Sequence, residues 1–352
     1  MRYLPTSRLT PGMALGQDIY DGAGRLLLGR HILLTEEQIS NLEFLGFPGA
    51  YVDDEFSRGI EIQQIVSPEV RRQALKIVYD LFHTDMRKQE PSEAEFKLRK
   101  TVESVVDDVI CNGDIMCNIM DIKSYDDYIY YHSIHVGILS VVVGARLGLP
   151  HDELCQLAAA ALLHDIGKRF IDHDIVRMGK AHRSEEEQEV YRSHPKIGAE
   201  YLRETCRFSA DVYEGIMEHH ECYNGEGYPL GKKGAEIHLF ARIIRIADCY
   251  DAKTSAFPAQ KSLSPSEALE YVMALGDRWF DPDIVAVFAR KVAAYPIGCE
   301  VELSNGQHAV VARNFENFPL RPLVRVVETG EMLNMRDDEK ARAVTVGRLI
   351  VR

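Results

Sequence analysis

Apolar residues change their spacing twice along this chain, which divides it into three stretches. Up to about residue 62 the pattern is short and mixed. "ALGQDIY" and "RLLLG" flank Asp21-Gly22 and predict a hairpin. Thr35 with Gln38 makes a capping box for a short helix through Ile39, Leu42 and Leu45 that ends at Gly46, and "AYVDD" returns as a strand. From about 66 the period becomes helical. Ala74, Ile77, Val78, Leu81 and Phe82 share one face, and Val102, Val105, Val106 and Val109 form a second stripe. Such stripes serve a bundle core or a dimer seam; core packing is the expected role, with a homodimer as the alternative. Helical patterns continue to about 294. At "YPIGCEVELSNGQHAVVARN" the period switches to two around Asn305-Gly306, and "PLVRVVE" and "AVTVGRLI" add strands. The expected organisation is a small α/β unit over 1–62, a helical linker over 63–104, a helical domain over 105–295 and a β-rich appendage over 296–352.

Composition narrows the function. The 352 residues carry a net charge of −13, which excludes nucleic-acid backbones and anionic membranes as broad partners. A hydrophobic share of 46% supports real cores, and no uninterrupted apolar run reaches the ~18 residues of a membrane span. The seven cysteines form no CxxC pair, so neither a zinc ribbon nor a disulfide framework is expected, and a cytoplasmic location is.

The candidate chemistry lies in the helical stretch. "ALLHDIGK" places His164 and Asp165 side by side after a small apolar run. Burying that pair costs several kcal/mol unless something binds it, either a cation or a hydrogen-bond partner. His132 lies in a strongly apolar helix, His194 opens "HPKIGAEYL", His219-His220 close "VYEGIMEHH", and Asp248 lies in "ARIIRIADCYDAKTS". Singly, each has an ordinary explanation as a satisfied core, surface or capping residue. Together they amount to five imidazoles and two carboxylates on apolar segments, which a helical bundle can project inward onto divalent metal. Mixed N/O ligation without thiolate suits Fe, Mn or Zn. Two such ions ~3.5–4 Å apart are the standard apparatus for hydrolysing phosphodiesters.

"HDIGK" with "HHECYNGEGYP", "HPKIG" and "IADCYDAKTS" resembles the HD-GYP subgroup of HD-domain phosphohydrolases, over roughly residues 105–292. The resemblance implies a mainly α, HD-type helical bundle. It implies a cytoplasmic, bacterial enzyme that hydrolyses cyclic di-GMP to the linear dinucleotide, with mononucleotide after a second cut. It places His132, His164, Asp165 and Asp248 around one metal, and lets Asp165 bridge to a second held by His194, His219 and His220. Asp165 and Lys168 would act in catalysis, Lys168 facing the phosphate. Gly227-Tyr228-Pro229 would form a loop beside the site, its glycines permitting the turn, with Tyr228 touching substrate or a partner protein. Asp251 and Lys261 would be further substrate contacts. Tyr128 stands four residues before His132, where three-metal members carry glutamate, so two metals are expected, iron or manganese ahead of zinc. The segment "AFPAQK" has Phe257 and Gln260 where relatives carry basic residues. That leaves two alternatives beside the main reading: a different cyclic dinucleotide, or a receptor that binds without much turnover.

Overall fold

The computed structural model describes residues 1–88, 91–118, 127–255 and 262–350. Its body is helical, with small antiparallel sheets contributed by both ends of the chain. The N-terminal unit contains β1 (Arg2–Pro5), β2 (Ala14–Leu15), β3 (Ile19–Tyr20), β4 (Leu26–Leu28), α1 (Glu36–Phe44) and β5 (Gly49–Asp53). The segment "ALGQDIY" does not form one arm of one hairpin. Ala14 and Leu15 pair with β5, and only Ile19 and Tyr20 pair with β4 across the Asp21 turn. The Thr35–Gln38 capping box forms and starts α1.

The helical body runs through α2 (Pro68–His83), α3 (Pro91–Cys111), α4 (Tyr128–Arg146), α5 (His151–Leu163), α6 (His173–Arg177), α7 (Glu185–Arg192), α8 (His194–Thr205), α9 (Ala210–Met217), α10 (Leu239–Thr254), α11 (Pro265–Ala274) and α12 (Pro282–Lys291). The apolar stripes of α2 and α3 are buried in the same cluster as α4, α5 and α10. The expected boundary at 104/105 therefore falls inside α3, and 63–104 packs as part of the body rather than as a linker. Helix α4 is long and apolar enough to cross a membrane, yet 78% of that window is buried inside the fold. It is the central core helix, and α5 approaches it closely because Gly137 and Gly144 face Leu162 and Leu157, where a Cβ would come within 2.8 and 2.7 Å.

The C-terminal sheet has the order β10 (Val346–Leu349), β6 (Glu300–Leu303), β7 (His308–Arg313), β8 (Leu323–Val326), β9 (Met332–Asn334). Gly306 takes φ +84° in the β6–β7 turn, which explains the Asn-Gly signal. Val301, Val311, Val324 and Val326 bury one face of this sheet into the helical core. The two ends of the chain also meet: Tyr3 N–H donates to Gly298 O at 2.9 Å, and Arg2 pairs with the buried Glu300 at 3.3 Å. All seven cysteines are free.

Candidate metal centre

Helix α5 ends at His164, and a tight turn over 166–170 follows Asp165. The turn fits because Gly167 lies against α8: a Cβ there would come within 2.0 Å of His194 O and 2.8 Å of Gly198 N. That contact ties the first motif to the helix opened by His194. His219 and His220 follow the end of α9, and Asp248 and Asp251 project from α10 towards α4.

Four imidazoles have their orientation fixed from behind. The Nδ1–H of His164 donates to Ala161 O, that of His194 to Tyr191 O and that of His219 to Ile216 O, each at 2.7 Å. His132 Nδ1 donates to Asp251 Oδ2 at 2.8 Å. A carbonyl or carboxylate only accepts, so Nδ1 carries the proton and, in the neutral ring, Nε2 keeps its lone pair. Each of these Nε2 atoms turns to Asp165. His132 and His164 lie 3.8 and 3.5 Å from Oδ2, while His194 and His219 lie 3.2 and 3.9 Å from Oδ1. Asp248 Oδ1 is 3.2 Å from His132 Nε2. Ligands ~2.1 Å from one cation stand about 3–3.5 Å apart, so the three shorter spacings suit metal as they stand and the two longer ones are slightly wide of it. His164 Nε2 is buried without a hydrogen-bond partner, as a vacant ligand would be. Two donor sets share Asp165: His132 and His164 on one side, and His194, His219 and His220 on the other.

The electrostatics agree. Burial, with neighbouring cations, pushes the pKa of His164 down and those of His219 and His220 well down, which keeps these rings neutral. His132 differs: burial would lower it, but hydrogen bonds and charge from Asp248 and Asp251 outweigh burial and raise the ring to about 9. Without metal its Nε2 therefore carries a proton towards Asp248, which a bound cation would displace. Burial opposes ionisation of Asp165, yet Lys168 and the adjacent imidazoles hold it well below the usual carboxylate range. Lys168 Nζ is paired with Asp165 Oδ2. Tyr128 stacks on His132 with ring centroids 5.1 Å apart, and burial with three nearby carboxylates raises its phenol well above the ordinary value. A phenol that keeps its proton is a poor ligand.

Two expectations change. Asp251 is fully buried and also accepts from His135 Nδ1 at 2.7 Å, so it orients imidazoles on α4 and is out of a substrate's reach. Of the loop glycines, Gly225 takes φ +87°, but Gly227 serves close packing: a Cβ there would come within 2.2 Å of Cys222 N. Glu221 closes that loop by accepting from Leu230 and Gly231 N–H at 2.6 and 3.0 Å. Tyr228 lies over His220 with centroids 4.8 Å apart. Phe257, Gln260 and Lys261 lie outside the described residues. Sequence reading missed His135 and Arg245, both at three-residue spacing from site residues, His132 and Asp248. Arg245 places its guanidinium 3.2 Å from His220 Nδ1 and 3.7 Å from Asp248 Oδ2.

Residues 118–284 match the HD domain family. The chain is 33% identical over 226 residues to a cyclic di-GMP phosphodiesterase of Pseudomonas aeruginosa, covering 64% of this chain and 54% of that protein. It is also 33% identical over 165 residues to a 3'3'-cGAMP-specific phosphodiesterase of Vibrio cholerae, covering 47% and 37%. The chain thus spans about half or less of the length of these relatives. Among solved structures it is similar to an HDG"Y"P protein from Bdellovibrio bacteriovorus, with TM-score 0.52 and 16% identity over 82% of this chain and 97% of that one, a likeness of fold. Residues 118–284 thus carry an HD domain, with the motifs of the HD-GYP subgroup.

Proposed function

We propose that this HD-domain chain is a two-metal phosphodiesterase that opens a cyclic dinucleotide, with cyclic di-GMP as the first candidate substrate. The observation that carries the reading is Asp165, whose two oxygens face two separate sets of imidazoles. His132, His164, Asp165 and Asp248 would hold one divalent ion; Asp165, His194, His219 and His220 would hold the other. The donor chemistry suits iron or manganese. When bound, the ions supply an activated water and neutralise charge on the phosphoryl oxygens. Lys168, which pairs with Asp165, would donate to a phosphoryl oxygen and stabilise developing negative charge. Asp251 keeps the Nε2 lone pair of His132 aimed at the site. Tyr228 covers His220 and meets the substrate at the mouth.

Relatives act on both cyclic di-GMP and 3'3'-cGAMP, so the bases are the open variable. The test is elemental analysis of anaerobically purified protein, followed by product chromatography on cyclic di-GMP, 3'3'-cGAMP and cyclic di-AMP. About two divalent ions per chain and a linear dinucleotide product are expected. Tight binding of a cyclic dinucleotide with no metal-dependent cleavage would replace this reading by the receptor one.

A further inference from the structure

A second group of ligand-type side chains stands apart from the centre, at the start of α5. His151 is the first residue of that helix, and Cys155 follows one turn later. Side chains four apart on a helix are neighbours, and here Cys155 Sγ lies 3.7 Å from His151 Nδ1. The other ring nitrogen is held from behind: His151 Nε2 donates to Asp107 Oδ1 of α3 at 3.0 Å. A carboxylate only accepts, so the neutral ring keeps its lone pair on Nδ1, the side that faces the thiol. Asp152 Oδ1 approaches the same nitrogen at 3.9 Å, from a side chain that is 98% exposed and can turn closer.

A thiol, an imidazole and a carboxylate in series also describe a nucleophilic triad, but the charges oppose that use. Burial first, then Glu103, Asp107 and Asp152, push the Cys155 thiol up to about 11, whereas a nucleophile needs it lowered. Carboxylates gathered round a thiol favour a cation instead. Sulfur and nitrogen ligands of one tetrahedral ion stand ~3.5 Å apart, close to the 3.7 Å found here. Asp107 orients the ring as carboxylates do behind metal-bound imidazoles.

We propose that His151 and Cys155 form a peripheral site for a thiophilic divalent ion such as Zn²⁺, with Asp152 and water completing the tetrahedron and Asp107 fixing the ring. The thiol proton passes to solvent as the sulfur–metal bond forms, and nothing is oxidised or reduced. A thiolate selects Zn²⁺ or Co²⁺ over Mn²⁺, so this site differs in preference from the first centre, whose ligands include no sulfur. It links α5 to α3 and is independent of the phosphodiesterase reading. Open to solvent, it exchanges its ion and is emptied by gel filtration, which keeps it apart from the ions held by the first centre.

Co²⁺ titration of the reduced full chain, followed by absorption spectroscopy, tests the site. A thiolate bound to Co²⁺ gives a near-ultraviolet charge-transfer band that imidazoles and carboxylates cannot give, so the first centre is silent in this readout. The wild type should show the band, rising to the amplitude of about one thiolate-bound ion per chain; Zn²⁺ should compete it away and Mn²⁺ should not. Cys155→Ser should remove the band. His151→Ala should weaken Co²⁺ binding there about thirtyfold or more, and Asp107→Asn about tenfold, with the fold checked by circular dichroism. Asp165→Ala should keep the band, as should Cys222→Ser, whose thiol lies 3.8 Å from Arg245 beside the first centre. A wild type without the band at millimolar Co²⁺, or a band that survives Cys155→Ser, overturns the proposal. So does unchanged affinity in His151→Ala, which would mean a thiol acting alone. Loss of the band in Asp165→Ala would put the thiolate at the first centre and overturn it equally.

Discussion

Around Asp165 Oδ2 the imidazole of His132 is backed by the Asp251 carboxylate and that of His164 by a main-chain carbonyl, whereas around Oδ1 the imidazoles of His194 and His219 are both backed by main-chain carbonyls, with a guanidinium beside His220. The two halves use the same ligand type, but their supports differ in charge. A carboxylate behind an imidazole raises its basicity and strengthens it as a ligand. The first half is therefore built to hold its ion more tightly than the second. A further difference is mechanical. The first half sits on α4, α10 and the end of α5, deep in the core. The second depends on the contact between Gly167 and the start of α8, and on the turn after α9.

The comparison can be broken most directly at the residue both halves share. Asp165→Ala should strip most bound metal and nearly all hydrolysis; elemental analysis showing full metal content with full turnover would end the two-metal assignment. Asp251→Asn tests the first half alone. Losing the carboxylate behind His132 should weaken the tighter metal step about 10–100-fold and leave the weaker step nearly unchanged. Equal losses at both steps in a calorimetric titration would show that the halves are not separately supported. Gly167→Ala tests the second half by packing. Its Cβ would press on His194 O, so the chain should lose about 1–3 kcal/mol of stability in a denaturant melt and lose the weaker ion before the tighter one. Preferential loss of the tighter ion would contradict the placement of His194. The smallest effect is expected at Tyr128→Phe, which keeps the stack on His132 and removes only a protonated hydroxyl. Metal content should stay at about two per chain, and a fall of one equivalent would make Tyr128 a ligand.

Much of this site was legible because the ligands are histidines and carboxylates on otherwise apolar helices, where an unpaired polar group is costly. His132, His164, Asp165, His194, His219, His220 and Asp248 were all named from spacing and company, and the structure gathers them. Asp251 shows where that reasoning stops. Its three-residue spacing from Asp248 correctly put it on the same helix face, yet it points at His132 and His135 rather than outward to substrate. Helical period gives direction around one axis and says nothing about which helix stands opposite, or how near.

The sequence by itself determined the local structure: the capping box at Thr35, the Asn305-Gly306 turn, the apolar stripes of α2 and α3, and the residue types that could hold metal. These follow from interactions within a few residues of each other, where chain geometry leaves few choices. Tertiary structure alone decided the rest. It joined the two ends of the chain through Arg2 and Glu300, buried one face of the C-terminal sheet in the helical core, and made Gly227 a packing residue rather than a turn former. It also put a guanidinium behind one imidazole out of five. Each of those outcomes depends on a partner distant in sequence, and a side chain's chemistry is set by that partner as much as by its own pattern.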